Sequence, residues 1–152
     1  MEIERKWLVS ALPPAAHELP AESIDQGYLA IEPGGGETRI RRKGGRCSLT
    51  VKGGGALARE EHEIPLAEDQ FAVLWPATEG RRIVKTRRRF GEIEIDVYAG
   101  ALGGLVVAEV EFPDLAAAAA YVAPAWFGAD VTDDARYKNR ALAVNGRPST
   151  SS

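Results

Sequence analysis

The stretch Glu2-Ile3-Glu4-Arg5-Lys6-Trp7, residues 2–7, alternates charged and apolar positions at the head of the chain. In an extended strand successive side chains point to opposite faces. Glu2, Glu4 and Lys6 then share one face, and Ile3, Arg5 and Trp7 share the other. Standing alone, such a face is an ordinary solvated one. The pattern recurs, however, and the recurrence decides the fold. Arg39 and Arg41 stand together with Ile40 opposite, and Ser48, Thr50 and Lys52 stand together with Leu49 and Val51 opposite. Glu61 and Glu63 face away from His62 and Ile64, and Lys85, Arg87 and Arg89 away from Val84 and Thr86. Glu92, Glu94 and Asp96 alternate with Ile93, Ile95 and Val97, and Glu109 and Glu111 with Val110 and Phe112.

This period of two predicts strands over residues 2–9, 24–31, 37–43, 47–52, 59–65, 82–90, 92–98 and 105–112. The Lys43-Gly44-Gly45-Arg46 and Phe90-Gly91-Glu92 steps read as tight hairpin turns in which glycine supplies positive φ. Helices are expected over 67–75, 114–122 and 133–144. Asp114 is a fitting N-cap, Thr132 or Asp133 would cap the last helix, and Gly146 would end it. The fold class is therefore a β-rich α+β domain whose eight antiparallel strands can close into a barrel. Two arrangements satisfy the pattern. In one, an open sheet presents a solvated charged face while helices cover its apolar face. In the other, the sheet closes and the charged face lines a water-filled tunnel.

The 152 residues, 45% hydrophobic and 27% charged, suit one domain, expected over 1–146 with a small polar tail over 147–152. A net charge of −3 gives no reason to expect nucleic acid or a membrane surface as a partner. Cys47 is the sole cysteine, which excludes an internal disulfide and a thiolate metal site and reads as structural. No basic and apolar leader or membrane-length apolar run stands out, so the cytoplasm is the expected location. His17 and His62 read as surface or packing residues, and oligomeric state is not legible.

The signs of the charges carry the functional reading. Whole strands are acidic and whole strands are basic, where a merely soluble face mixes both. A surface crowded with Arg and Lys calls for a polyanion, and one crowded with carboxylates calls for a cation. A polyphosphate chelated by a divalent metal answers both. Arginine grips phosphate oxygens through paired hydrogen bonds, and carboxylates hold Mg²⁺ or Mn²⁺ as hard oxygen ligands.

Glu2-Ile3-Glu4-Arg5-Lys6 resembles the ExExK signature of the CYTH superfamily, the triphosphate tunnel metalloenzymes. Gln26-Gly27-Tyr28-Leu29, Arg39-Ile40-Arg41-Arg42-Lys43, Leu49-Thr50-Val51-Lys52, Glu61-His62-Glu63-Ile64, residues 82–90, residues 94–98, residues 105–112 and residues 130–143 resemble the successive motifs of its short bacterial members. The resemblance implies an eight-stranded antiparallel tunnel that closes and so brings the first and last strands together. It implies metal-dependent hydrolysis of inorganic triphosphate to pyrophosphate and phosphate. Glu2, Glu4, Glu109 and Glu111 would be metal ligands, with Glu61, Glu63 and Asp96 serving a second metal. Arg39, Arg41, Lys52, Lys85 and Arg87 would bind phosphate. Lys6 and Tyr28 would form a pair in which the ammonium lowers the phenol's pKa and Tyr28 accepts the proton of the attacking water. The alternatives are a class IV adenylate cyclase, a thiamine triphosphatase using Trp7, Trp75 or Trp126 to stack a ring, and a catalytically idle polyphosphate-binding module. Lys138 is a candidate for the tunnel mouth.

Overall fold

The computed structural model describes residues 3–54 and 60–149. Glu2, Arg59 and the last three tail residues therefore lie outside the described residues. The strands are β1 (Ile3–Leu8), β2 (Glu22–Ile31), β3 (Glu37–Lys43), β4 (Arg46–Lys52), β5 (Glu61–Leu66), β6 (Arg82–Phe90), β7 (Ile93–Tyr98) and β8 (Val106–Phe112). Three short helices accompany them: α1 (Glu68–Leu74), α2 (Leu115–Ala120) and α3 (Asn139–Asn145). All eight strands form one antiparallel sheet in the order β1-β8-β7-β6-β2-β3-β4-β5. Gly44 and Gly45, at φ 56° and 84°, make the β3–β4 turn, and Gly91, at φ 64°, begins the β6–β7 turn.

The convex face is the apolar one. Trp7, Ile93, Ile95, Ala108, Val110 and Phe112 form a core beneath α2 and Ala118. Asp114 caps α2 as expected, accepting from the Ala117 N–H at 2.7 Å. Arg5, a charge on this apolar face, stacks over Trp7 at 4.6 Å, donates to the Ala118 carbonyl and pairs with Asp130 at 2.7 Å. Its cation thereby serves the C-terminal end of α2, where helix carbonyls lack partners. Under α1, Phe71 packs on Ile40 and Cys47.

The strands curl so that the opposite, charged face is concave, and they do not close into the expected barrel. No ladder joins β1 to β5 among the described residues. The reason lies at the free edge of β1, whose backbone is already engaged. Leu8 N–H donates to Ala129 O at 2.9 Å, and Val131 N–H donates to Lys6 O at 2.9 Å. Along Lys6–Leu8 this returning segment occupies the edge, so that part of β1 cannot pair with β5. The first and last strands do meet, but by direct pairing from Ile3↔Phe112 to Leu8↔Val107 rather than through closure.

One end of the concavity is filled. Tyr28, Ile83, Tyr98 and Val107 on the concave face pack with Leu102, Tyr137, Leu142 and Ala143, with Leu8 against them. The long last helix expected over 133–144 is instead a 3₁₀ turn at Ala135–Tyr137 followed by α3. Lys138, extended at φ −69° and ψ 143°, separates the two, and Asp134 rather than Thr132 or Asp133 caps the first. The break lets the Tyr137 ring and the apolar side of α3 enter the same end of the groove. Gly146 ends α3 at φ 77°, as expected. No helix among the described residues is long and apolar enough to cross a membrane.

Gly27 marks the closest approach behind the sheet: a Cβ there would stand 2.5 Å from Thr78 Cβ and 2.7 Å from Cγ2. Thr78 is itself fully buried, so neither side can yield cheaply. Gly27→Ala is expected to lower stability by about 1–3 kcal/mol, as overpacking does, read as a fall in Tm by thermal unfolding. An unchanged Tm would show that β2 can move away from the Trp75–Thr78 turn.

Candidate functional site

Strand order turns the sign-sorting of the sequence into a divided groove. Across the concave face β1, β8 and β7 contribute Glu4, Glu109, Glu111, Glu94 and Asp96, while β6 and β3 contribute Lys85, Arg87, Arg89, Arg39 and Arg41. The two halves meet at the β6–β7 seam. There Asp96, 1% exposed, accepts from Lys85 Nζ at 2.8 Å and from Arg87 Nε and Nη2 at 2.8 and 3.0 Å. Arg87 also pairs with Glu94 at 3.2 Å. Desolvation works against the Asp96 anion, yet the Arg87 and Lys85 cations outweigh it and hold the carboxyl below its ordinary range. Desolvation likewise opposes charge on Arg87, and its bonds to Asp96 more than offset that. Burial pushes Lys85 down, with Asp96 resisting. Asp96 was expected at a second metal; here both its oxygens are committed to cations, so it anchors the basic wall instead.

The acidic half is differently balanced. Glu4 stands directly opposite Glu111 in the ladder, and Lys6 opposite Glu109. Glu4 still meets water along the groove, yet protein surrounds it, and this loss of bulk solvent is the largest cause raising its pKa to about 7. Repulsion by Glu109 comes second, Lys6 pulls the other way, and Glu111 adds to the rise. Since the side chain keeps contact with water, the facing carboxylates are the cause that the geometry supports most directly. Lys6 lies 3.4 Å from Glu109 and donates to the Tyr137 carbonyl at 3.0 Å. Among the described residues no three His, Cys, Asp or Glu side chains converge as a ready-made metal cage. The donor set nevertheless fits a hard cation that takes one or two protein carboxylates and completes its shell with water and phosphate. Glu109 and Glu111 disfavour a second negative charge at Glu4, and a cation can relieve that as a proton does.

On the basic side, Arg41 Nε donates to Gln26 Oε1 at 2.8 Å, and Gln26 Nε2 donates to the Tyr28 hydroxyl at 3.0 Å. Burial, then Arg39 and Arg87, push the Arg41 pKa down. Arg39 lies 3.8 Å from Glu37, and among the described residues its buried Nε has no partner. Three guanidiniums that repel one another, one with an orphaned buried donor, form a surface suited to an anion. Tyr28 corrects an expectation. Burial, then Glu37, raise its pKa, with Arg39 and Gln26 opposing; Lys6 is engaged with Glu109 and Tyr137 instead. Burial disfavours the phenolate, and Lys6 is directed to Glu109 and the Tyr137 carbonyl rather than to the phenol.

The remaining candidates are spread along the groove. Lys52 stands between Glu37 and Glu61 in the β3–β4–β5 register. Glu61 and Glu63 project from the exposed edge strand β5, and the Glu63 field reaches Arg41. At the open end, a cavity of about 1070 Å³ is lined by Arg41, Lys43, Arg46, Arg89, Glu22 and Glu63 among others. Lys138 is exposed at the head of α3, at the filled end rather than the mouth. Gln26, Glu37 and Arg140 escaped the sequence reading. Arg140 reaches from α3 to Gly35 O at 3.1 Å and to Glu37 at 3.6 Å. For Gln26 a signal was available, since it shares strand parity with Tyr28.

An inorganic triphosphatase of Nitrosomonas europaea is 47% identical over 149 residues, which cover 95% of this chain and 97% of that protein. An inorganic triphosphatase of Acetivibrio thermocellus is 35% identical over 153 residues, covering 95% and 94%. A crystal structure of an inorganic triphosphatase matches with a TM-score of 0.79 at 44% identity, over 95% of each chain. A structure from Bacillus halodurans, 15% identical with a TM-score of 0.53, covers 78% of this chain and 84% of its own and shares the fold alone. No protein-family model matches the chain.

Two outcomes test these electrostatics. Asp96→Asn leaves Lys85 and Arg87 without their counter-ion, and stability should fall by about 3–5 kcal/mol at neutral pH; denaturant unfolding measures it. Glu4, by contrast, is disfavoured as an anion in the folded state. Its unfavourable contribution is absent below the ordinary pKa of 4.5, grows as pH rises through about 7, and is complete above that. In chelator, the Tm of Glu4→Gln should exceed that of the unaltered protein at pH 8 and match it at pH 4. Equal values at both pH would remove the repulsion from the account.

Proposed function

The chain belongs to the inorganic triphosphatases of the triphosphate tunnel type, and from that premise we propose that it hydrolyses inorganic triphosphate to pyrophosphate and phosphate in the charged groove. The observation that carries this reading is the pairing of two incomplete electrostatic halves. Glu4, beside Glu109 and Glu111, is disfavoured as an anion, and Arg41, beside Arg39 and Arg87, is disfavoured as a cation, within one concave surface. A metal triphosphate supplies both together.

Glu4, Glu109 and Glu111 would hold the divalent metal that this family implies, Mg²⁺ or Mn²⁺, with Glu2 beside them in sequence. That cation, when bound, polarises phosphoryl oxygens and lowers the pKa of a coordinated water. The protein's own part is positioning and charge. Arg39, Arg41 and Arg87 take the phosphate oxygens and offset the charge that develops in phosphoryl transfer. Asp96 fixes Lys85 and Arg87 together at the seam. Lys6, beside Glu109, sits where it can contact a phosphate held at the acidic wall. Tyr28, kept neutral, serves as a hydrogen-bond donor to phosphate rather than as a base. Apolar side chains fill the groove beyond Tyr28 and Tyr98 while its other end is open, so the substrate panel decides between the bare triphosphate, ATP and thiamine triphosphate.

Phosphate release is to be measured with triphosphate, ATP, thiamine triphosphate and pyrophosphate, each with Mg²⁺, Mn²⁺ or chelator, while cyclic AMP is followed from ATP. Turnover of triphosphate that stops in chelator is the expected result. Arg41→Ala should cost about 10- to 100-fold in kcat/KM, the worth of a charge-assisted contact, and Glu111→Gln should lose activity at ordinary Mg²⁺ while remaining folded. Cyclic AMP as the main product, or full activity in chelator, would overturn the reading.

A further inference from the structure

We infer that Gln26 is a positioning residue that presents Arg41 to the substrate with its charge undiminished; the inference rests on the triphosphatase reading above. The amide is 1% exposed and stands directly opposite Arg41 in the β2–β3 ladder. Its orientation is dictated by its neighbour. An arginine Nε can only donate, so the atom facing it at 2.8 Å must be Oε1, which turns Nε2 toward Tyr28. The Tyr28 hydroxyl therefore accepts from Gln26 at 3.0 Å, and its own proton is free for a different acceptor.

The three main basic side chains of this wall are held in two different ways. Lys85 and Arg87 are fixed by Asp96, and the anion that orients them also cancels part of their charge. Arg41 is fixed by a neutral amide, and among the described residues no carboxylate lies within ion-pair distance of it. Among the described residues Gln26 holds Arg41 through Nε alone, which leaves its two terminal nitrogens for the substrate. Net positive charge consequently concentrates at Arg41; neighbouring Arg39 lies 3.8 Å from Glu37, and among the described residues its buried Nε lacks a partner. A glutamate at position 26 would have the same shape and bind Arg41 more tightly, but it would neutralise the cation that the substrate needs. The identity of the residue is thus a choice of charge, not of fit. The same amide couples Arg41 to Tyr28, so the phosphate-facing ends of both side chains are set by one buried group.

The test compares Gln26→Glu and Gln26→Met with the unaltered protein on triphosphate hydrolysis at saturating Mg²⁺, together with direct calorimetric binding of triphosphate in chelator. Gln26→Glu should raise KM and the dissociation constant by about tenfold or more, since one charge-assisted interaction is worth that much, with kcat changed less. Gln26→Met, which keeps Arg41 charged but unanchored, should raise KM by a smaller factor. A purely structural role gives the reverse order, because the isosteric glutamate preserves the hydrogen bond and methionine does not. Near-normal KM and affinity in Gln26→Glu overturn the inference. If Gln26→Glu does not fold, unchanged KM and affinity in Gln26→Met overturn it, and a rise in both supports it. Failure of the unaltered protein to hydrolyse triphosphate strikes the triphosphatase reading instead, and the calorimetric comparison still decides the role of Gln26.

Discussion

Like charges gathered on one curved surface repel, and much of this protein is arranged around where that repulsion is relieved and where it is left standing. The relief is concentrated at the β6–β7 seam. Asp96 lies almost without water between Lys85 and Arg87, and each of its oxygens accepts from a cation. A buried ion cluster of this kind adds little net stability compared with apolar packing, but losing one member leaves uncompensated charge. Its value here is geometric, because it locks the boundary between an acidic and a basic wall.

Away from the seam the repulsion persists. Glu4 stands opposite Glu111 and is also repelled by Glu109, and Arg41 is repelled by Arg39 and by Arg87 at the seam. Unrelieved charge is affordable only where the rest of the fold is sound. The convex cores beneath α1 and α2 and the apolar filling around Tyr98 and Leu142 provide that support. The concave face is therefore stabilised from behind and from one end, and its middle is left for a ligand bearing both signs.

The C-terminal segment ties these parts together. Residues 128–131 satisfy the outer edge of β1, Tyr137 O receives Lys6 Nζ, and Asn139 accepts from the Tyr98 hydroxyl at 3.0 Å. Arg140 then reaches across to Glu37 and Gly35. One stretch of chain thus blocks closure at β1, fills the end of the groove and contacts both its acidic and basic walls.

The sequence by itself determined the strands, the face on which each charge lies and the turns at Gly44–Gly45 and Gly91, because a period of two and a glycine's φ are local properties. It also marked Glu4, Glu109, Arg39, Arg41 and Arg87 as members of one charged surface, and the resemblance of its motifs pointed to the right family. Only the tertiary structure decided which charges neutralise each other. Asp96 looked like Glu94 in the strand, yet the β6–β7 register sets it against Arg87 and makes it an anchor. Tyr28 looked like a partner for Lys6, yet three intervening strands and the burial of the phenol give each a different neighbour. The open edge, too, lay beyond local pattern, because it depends on a return of residues 128–131 to a strand more than a hundred positions earlier. Periodicity assigns a side chain to a face; only strand order and burial assign it a partner, and partners set its charge.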